Sequence, residues 1–273
     1  MKKPELLFGA AVLLAVLLMA LFAPWLAPFD PQLQNLEERL APPSWSHLCG
    51  LDELGRDILS RLVYGTRISV MVGLSVVLLA GLVGTLLGAV AGYFGGRVDA
   101  LLMRVSDVFL AFPGILLAIA LVAVLGPALR NVIFALVIIG WVGYARLVRG
   151  QVLQIREAEF VASARVAGAS WLRILGLHIL PEVLPVLTVQ ASLGMAGAIL
   201  SEAGLSFLGL GIQPPTSSWG AMINAGRSHL LDAPHLALFP GLAILVTVMG
   251  LNFLGDGLVN ALDPHGKRQI TVR

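Results

Sequence analysis

Side chains able to do covalent or metal chemistry are sparse in this 273-residue chain, which has one cysteine, Cys49, and five histidines. His47, His178, His229, His235 and His265 all fall outside the apolar runs. No two of them have the close spacing that sets two ring nitrogens on one helical face, so no metal site is assigned. His229 and His235, six apart, read as solvated loop residues. A phosphate-cradling loop is also missing: Gly266-Lys267 would need glycine at 261 and serine or threonine at 268, where Ala261 and Arg268 stand. With no histidine inside an apolar run, an intramembrane enzyme lacks a base for any nucleophile. The chain therefore reads as a non-enzyme, with no catalytic residue and no cofactor of its own. One carboxylate, Glu202, does stand well inside an apolar run, where an ionisable group is a functional-site hypothesis by default. It could face a polar cavity and touch a cationic or amine group, bond to a neighbouring helix, or lie nearer an interface. Arg104 and Asp107, three apart, can pair on one helix face as a structural contact.

The elements that position these residues follow from composition. The chain is 58% hydrophobic and 12% charged, whereas a soluble domain carries about 25% charged residues. Six apolar runs, at about 6–26, 68–92, 101–125, 131–148, 184–208 and 236–258, approach the ~20 residues that a helix needs to cross a bilayer. Helices are required because no water is present there to satisfy the backbone. The expected fold is all-α: a polytopic membrane protein with about six transmembrane helices. Lys2 and Lys3 before the first run resemble a signal peptide. The run continues to Leu26, however, and Ala23-Pro24-Trp25-Leu26-Ala27-Pro28 offers no small-x-small cleavage site, so it reads as an uncleaved span. The net charge of +2 sits in the connections and does not signal nucleic-acid binding. With both termini cytoplasmic, twelve of the eighteen Lys and Arg fall inside, in the direction of the positive-inside rule. The organisation is then a first span with an extracytoplasmic segment (1–66), a core of five spans (67–262) and a cytoplasmic tail (263–273). In the second span Gly81, Gly84, Gly88 and Gly92 allow close helix contact, within this bundle or against a second membrane subunit.

The connection at about 150–182 carries most of the functional information. Glu157 to Ala167 has helix-favouring residues and small side chains at Ala158, Ala162, Ser163 and Ala164. Gly168 breaks that helix, Ser170 can cap a second one starting at Trp171, and Pro181 is expected to end it. Two short helices at an angle, too polar and brief to span, result. They could offer a small-residue face to a docking protein or rest on the lipid headgroups, and the residues alone leave both open.

The segment Glu159-Phe160-Val161-Ala162-Ser163-Ala164-Arg165-Val166-Ala167-Gly168-Ala169, with Leu180-Pro181 downstream, resembles the EAA loop of ABC importer permeases. Aligned on Gly168, the family's glutamate position is Ala162, its two alanines are Ser163 and Ala164, and its isoleucine is His178. Gly50-Leu51-Asp52-Glu53-Leu54-Gly55-Arg56-Asp57, Gly92-Tyr93-Phe94-Gly95-Gly96-Arg97, Ser206-Phe207-Leu208-Gly209-Leu210-Gly211 and Gly255-Asp256-Gly257 resemble segments of the dipeptide, oligopeptide and nickel branch, of the second-permease type. That resemblance implies a type I ABC importer permease fold in a bacterial cytoplasmic membrane. It implies a second homologous permease, two cytoplasmic ABC ATPase subunits that hold ATP-Mg, and an extracytoplasmic solute-binding protein. Glu159, Ala162, Ser163, Ala164, Gly168, Ala169, Leu180 and Pro181 would form the ATPase-coupling loop, a rigid connection between spans four and five. Di- or oligopeptides, or nickel and metal chelates, would cross by alternating access. The rival is a secondary transporter without an ATPase, but it would be expected to show internal repeats and intramembrane ion-pair or carboxylate sites, whereas no convincing repeat is seen and buried charges are few.

Overall fold

The computed structural model describes residues 3–262, so the tail at 263–273 lies outside the described residues. The helices are α1 (Lys3–Leu21), α2 (Ala23–Leu26), α3 (Ile58–Phe94), α4 (Gly96–Leu110), α5 (Gly114–Leu125), α6 (Leu129–Ile155), α7 (Glu159–Val166), α8 (Trp171–Ile174), α9 (Leu180–Phe207), α10 (Trp219–Gly226) and α11 (His235–Leu262). A π-helical turn, Leu175–Ile179, joins α8 to α9. No strand forms among the described residues. Among the described residues, five helical stretches are long and apolar enough to cross a membrane: α1, α3, α6, the run from Trp171 to Phe207, and α11.

The sixth expected span differs. Residues 101–125 are not one straight helix, because α4 and α5 meet at an 81° bend. Pro113 is the cause: it has no N–H to donate and disfavours helical geometry at the residue before it, so it becomes the residue that precedes α5. α5 has 12 residues, about 18 Å at 1.5 Å per residue, too short to cross alone. The spans around it run longer than expected, since α3 begins ten residues before 68 and α6 ends seven beyond 148.

Glycine sets how closely α3 and α6 pack. A Cβ at Gly92 would fall 2.8 Å from Val152 Cβ, and one at Gly88 would fall 3.0 Å from Ala145 Cα and crowd that residue's carbonyl oxygen. The glycine stripe therefore serves contact within this bundle. At Gly81 the nearest atom, in the Tyr144 ring, would be an ordinary 3.7 Å away. Gly81→Ala is therefore expected to leave the thermal midpoint of the purified protein unchanged or raised. Gly88→Ala, an overpacking change, should cost about 1–3 kcal/mol and lower it. A similar fit seats α1 on α11, where a Cβ at Gly257 would come 2.7 Å from Leu6 Cα. Ser192 Oγ on α9 donates to Leu251 O on α11 at 2.6 Å.

At the end of the bundle where α3 begins, residues 47–61 fold into a buried ionic clamp. Gly55, at φ +71°, turns the chain so that Asp52 accepts from Leu54 N at 2.9 Å, Arg56 N at 3.0 Å and Arg56 Nε at 2.8 Å. Asp52 also pairs with Arg61. Asp57 caps α3, accepting from Ser60 N at 2.7 Å, while its other oxygen meets His47 Nδ1 at 2.9 Å. His235 is buried rather than solvated, against Gly50, with Nε2 3.4 Å from Leu51 O. Burial, and secondarily the Asp57 charge, push the Cys49 thiol up.

Candidate functional site

The connection between α6 and α9 lies at the opposite end, where α3 finishes. α7 closes with a paired C-terminal cap: Gly168 N donates to Arg165 O at 3.0 Å and Ala169 N to Ala164 O at 3.1 Å. This motif satisfies carbonyls that the helix leaves open, and it needs a left-handed residue. Gly168 supplies it at φ +79°. Ser170 then caps α8, its Oγ accepting from Arg173 N at 3.4 Å. The two-helix reading holds on those points.

Pro181, however, does not end the second helix. Helical structure continues through it to Phe207, with the wider π turn at Leu175–Ile179 directly before it, and Pro185 is also carried inside α9. A π turn sends each N–H to the fifth residue back, which makes room for a ring that blocks the regular ladder. In this turn Ile179 is fully buried, whereas His178 is only partly covered.

One face of the segment is held and the other is open. Val161, Ile174, Leu175 and Ile179 pack with Ala89 of α3, Val148 and Val152 of α6 and Val183 of α9. The Trp171 ring meets Phe94 edge-on at 5.3 Å, and the Arg165 guanidinium stands 5.6 Å over the Tyr93 ring. Arg156 Nη1 donates to Gly92 O at 2.8 Å, tying the last turn of α3 to the start of the segment. Glu159, Ala162, Ser163, Val166, Ala167 and Gly168 face outward, with Val166 91% exposed. Apart from its two chain neighbours, no described residue has an atom within 4 Å of where a Cβ would stand on Gly168. Ala164 and Ala169, by contrast, are drawn to the packed side. Sequence reasoning missed the bracing roles of Tyr93, Phe94 and Arg156. Their only signal was position, at the ends of the two helices that flank the segment.

The expected Arg104–Asp107 pair does not form. Asp107 pairs with Arg146 on α6, and Asp99 takes Arg149, with Nη2 to Oδ2 at 2.6 Å. Both bridges fasten α4 across α6, which a within-helix spacing rule cannot foresee.

Within the bundle, a cavity of about 280 Å³ opens between α3, α5, α6 and α9; Tyr144, Gln190 and Ser201 supply its polar wall. Glu202, one residue on, is fully buried and does not line it; its Oε1 accepts from Ser206 Oγ at 2.6 Å. Glu202→Gln keeps an acceptor there, so transport by that variant should stay within about twofold of the parent, while Glu202→Ala should lose about 1–3 kcal/mol of stability by orphaning Ser206. Uptake and thermal midpoints check both. Among the described residues no group of three or more His, Cys, Asp or Glu could hold a metal.

This architecture has known counterparts. The MetNI methionine ABC transporter, solved in inward-facing conformations, has a chain that superimposes with a TM-score of 0.58 at 18% identity, covering 74% of this chain and 96% of that one. A probable D,D-dipeptide transport system permease protein of Escherichia coli strain K12 is 46% identical over 96% of this chain and 88% of its own. A glutathione transport system permease protein of Pectobacterium atrosepticum strain SCRI 1043 is 47% identical over 94% and 87%. Residues 2–43 match the N-terminal TM domain of oligopeptide transport permease C. Residues 84–268 match the inner membrane component of binding-protein-dependent transport systems, and the chain belongs to that family of permease subunits.

Proposed function

We propose that this permease is one of two homologous membrane subunits of an ATP-driven importer of short peptides, and that the α7–α8 segment is the seat of its ATPase. The observation that carries this reading is the two-sidedness of that segment. Its inner face is locked to α3, α6 and α9, and its outer face is a patch of small residues around a cap that no described residue covers. Such a surface admits close approach by a partner and passes the partner's displacement to the spans. Glu159, Ala162, Ser163 and Gly168 would meet the partner, Ala164 and Ala169 hold the cap, and Leu180 and Pro181 join the seat to α9.

In this reading the segment and both termini face the cytoplasm, and the ionic clamp faces outward, where a solute-binding protein delivers its load. ATP with magnesium is held by two partner ATPases, which do the hydrolysis. Substrate passes between alternating outward and inward states, and the Tyr144–Gln190–Ser201 wall offers amide and hydroxyl groups suited to a peptide backbone. The dipeptide and glutathione transport named for the relatives supports peptides as cargo.

The test is purification of the tagged chain from membranes of its native host. A sister permease and ATPase subunits should accompany it, and in liposomes peptide-loaded binding protein should raise ATP hydrolysis. Isolation without any ATPase, combined with uptake driven by an ion gradient, would end the proposal.

A further inference from the structure

The clamp end contains three arginines close together on the chain, and they are not treated alike. Arg56 and Arg61 are buried and both pair with Asp52. Arg67, nearly two turns further along α3, is exposed and has no carboxylate partner among the described residues; it lies over the Tyr64 ring, 6.0 Å from its centre. It opens onto a hollow of about 280 Å³ shared with Gln32, Tyr64, Thr216 and Ser217. Ser217 accepts from Arg61 Nε at 3.3 Å, so a second guanidinium backs that wall. A second hollow shares Pro31, Gln32 and Tyr64 with the first, and Asp30 lines it. The Asp30 carboxylate is exposed and, among the described residues, bonded only to a backbone group, accepting from Gln32 N at 2.8 Å.

Two adjoining hollows, one lined by a guanidinium with no carboxylate partner among the described residues and the other by an exposed carboxylate, with amide and hydroxyl groups on the shared wall, are complementary to a zwitterion. From this we infer that the two hollows receive the substrate at the outer mouth: Arg67 takes the free carboxylate of a short peptide, and Asp30 takes its ammonium group. Guanidinium and carboxylate form paired, charge-assisted hydrogen bonds that a lysine reproduces only as a point charge. This deepens the peptide reading and rests on it, and it names which chemical ends of the peptide the permease itself reads.

The experiment uses the complete complex with its binding protein in liposomes, and the probe is radiolabelled alanyl-alanine. Arg67→Gln should raise the concentration for half-maximal uptake about tenfold, the loss expected for one charge-assisted contact, with Arg67→Lys between the two and Asp30→Asn also raised. Thermal midpoints should be unchanged in all three. Uptake by Arg67→Gln within twofold of the parent overturns the inference. So does a fall in affinity of the complex for loaded binding protein that fully accounts for the lost uptake, because Arg67 would then be reading that protein. If the unmutated complex fails to move alanyl-alanine while moving another solute, the peptide reading itself fails, a result distinguishable from the other two.

Discussion

Gly168→Val is expected to lower ATP-driven uptake at least about tenfold while the protein still inserts, because a β-branched residue at φ +79° costs upward of 1–2 kcal/mol and undoes the cap that turns α7 into α8. Uptake in vesicles, membrane abundance by immunoblot and co-purification of the ATPase measure the three parts of that statement. Gly168→Asn separates two causes, since asparagine enters the left-handed region most readily after glycine. If the requirement is conformational, asparagine should restore most of the uptake. If it fails like valine, the space beyond Gly168, which the described residues leave empty, is filled by the partner. Normal uptake and normal ATPase retention by the valine variant would remove the segment from the mechanism.

Asp52→Asn should be the most destabilising single change at the other end. The carboxylate accepts from two backbone groups and pairs with two arginines, all in a site sealed from solvent. Neutralising it leaves two buried guanidinium groups facing each other, and breaking a buried pair typically costs about 3–5 kcal/mol. The thermal midpoint in detergent should fall sharply, and yield with it. Because the penalty is the orphaned charge, Asp52→Asn combined with Arg61→Met should recover part of the loss. A double variant no more stable than the single one would show that the backbone contacts of Asp52, rather than its charge, hold the turn.

How much was legible in advance differs by element. Apolar runs announced the spans because burial in lipid demands them, and Gly168 and Ser170 announced the break and cap because those roles are local. Where a residue's role depends on a partner far along the chain, local rules failed. Asp107 bonds Arg146 across 39 positions rather than Arg104 across three. His235 is buried against a turn 184 residues earlier. Pro113 and Pro181 are both helix breakers by rule, yet one makes an 81° bend and the other is absorbed by a π turn. The difference is in what precedes each. A wide turn takes up Pro181 beside the buried side chains Leu175 and Ile179, whereas Leu110 and Phe112 before Pro113 are exposed. At the candidate site, the small-residue face could be read from composition, but its bracing by Tyr93, Phe94 and Arg156 could not.

The absorption of Pro181 has a mechanical meaning. From Trp171 to Phe207 the chain is one unbroken tiller of 37 residues, ~55 Å long at 1.5 Å per residue, and swinging its foot through ~10° would sweep its head by roughly 10 Å. Had the proline cut it at the membrane surface, the same push would have been lost in a swivel.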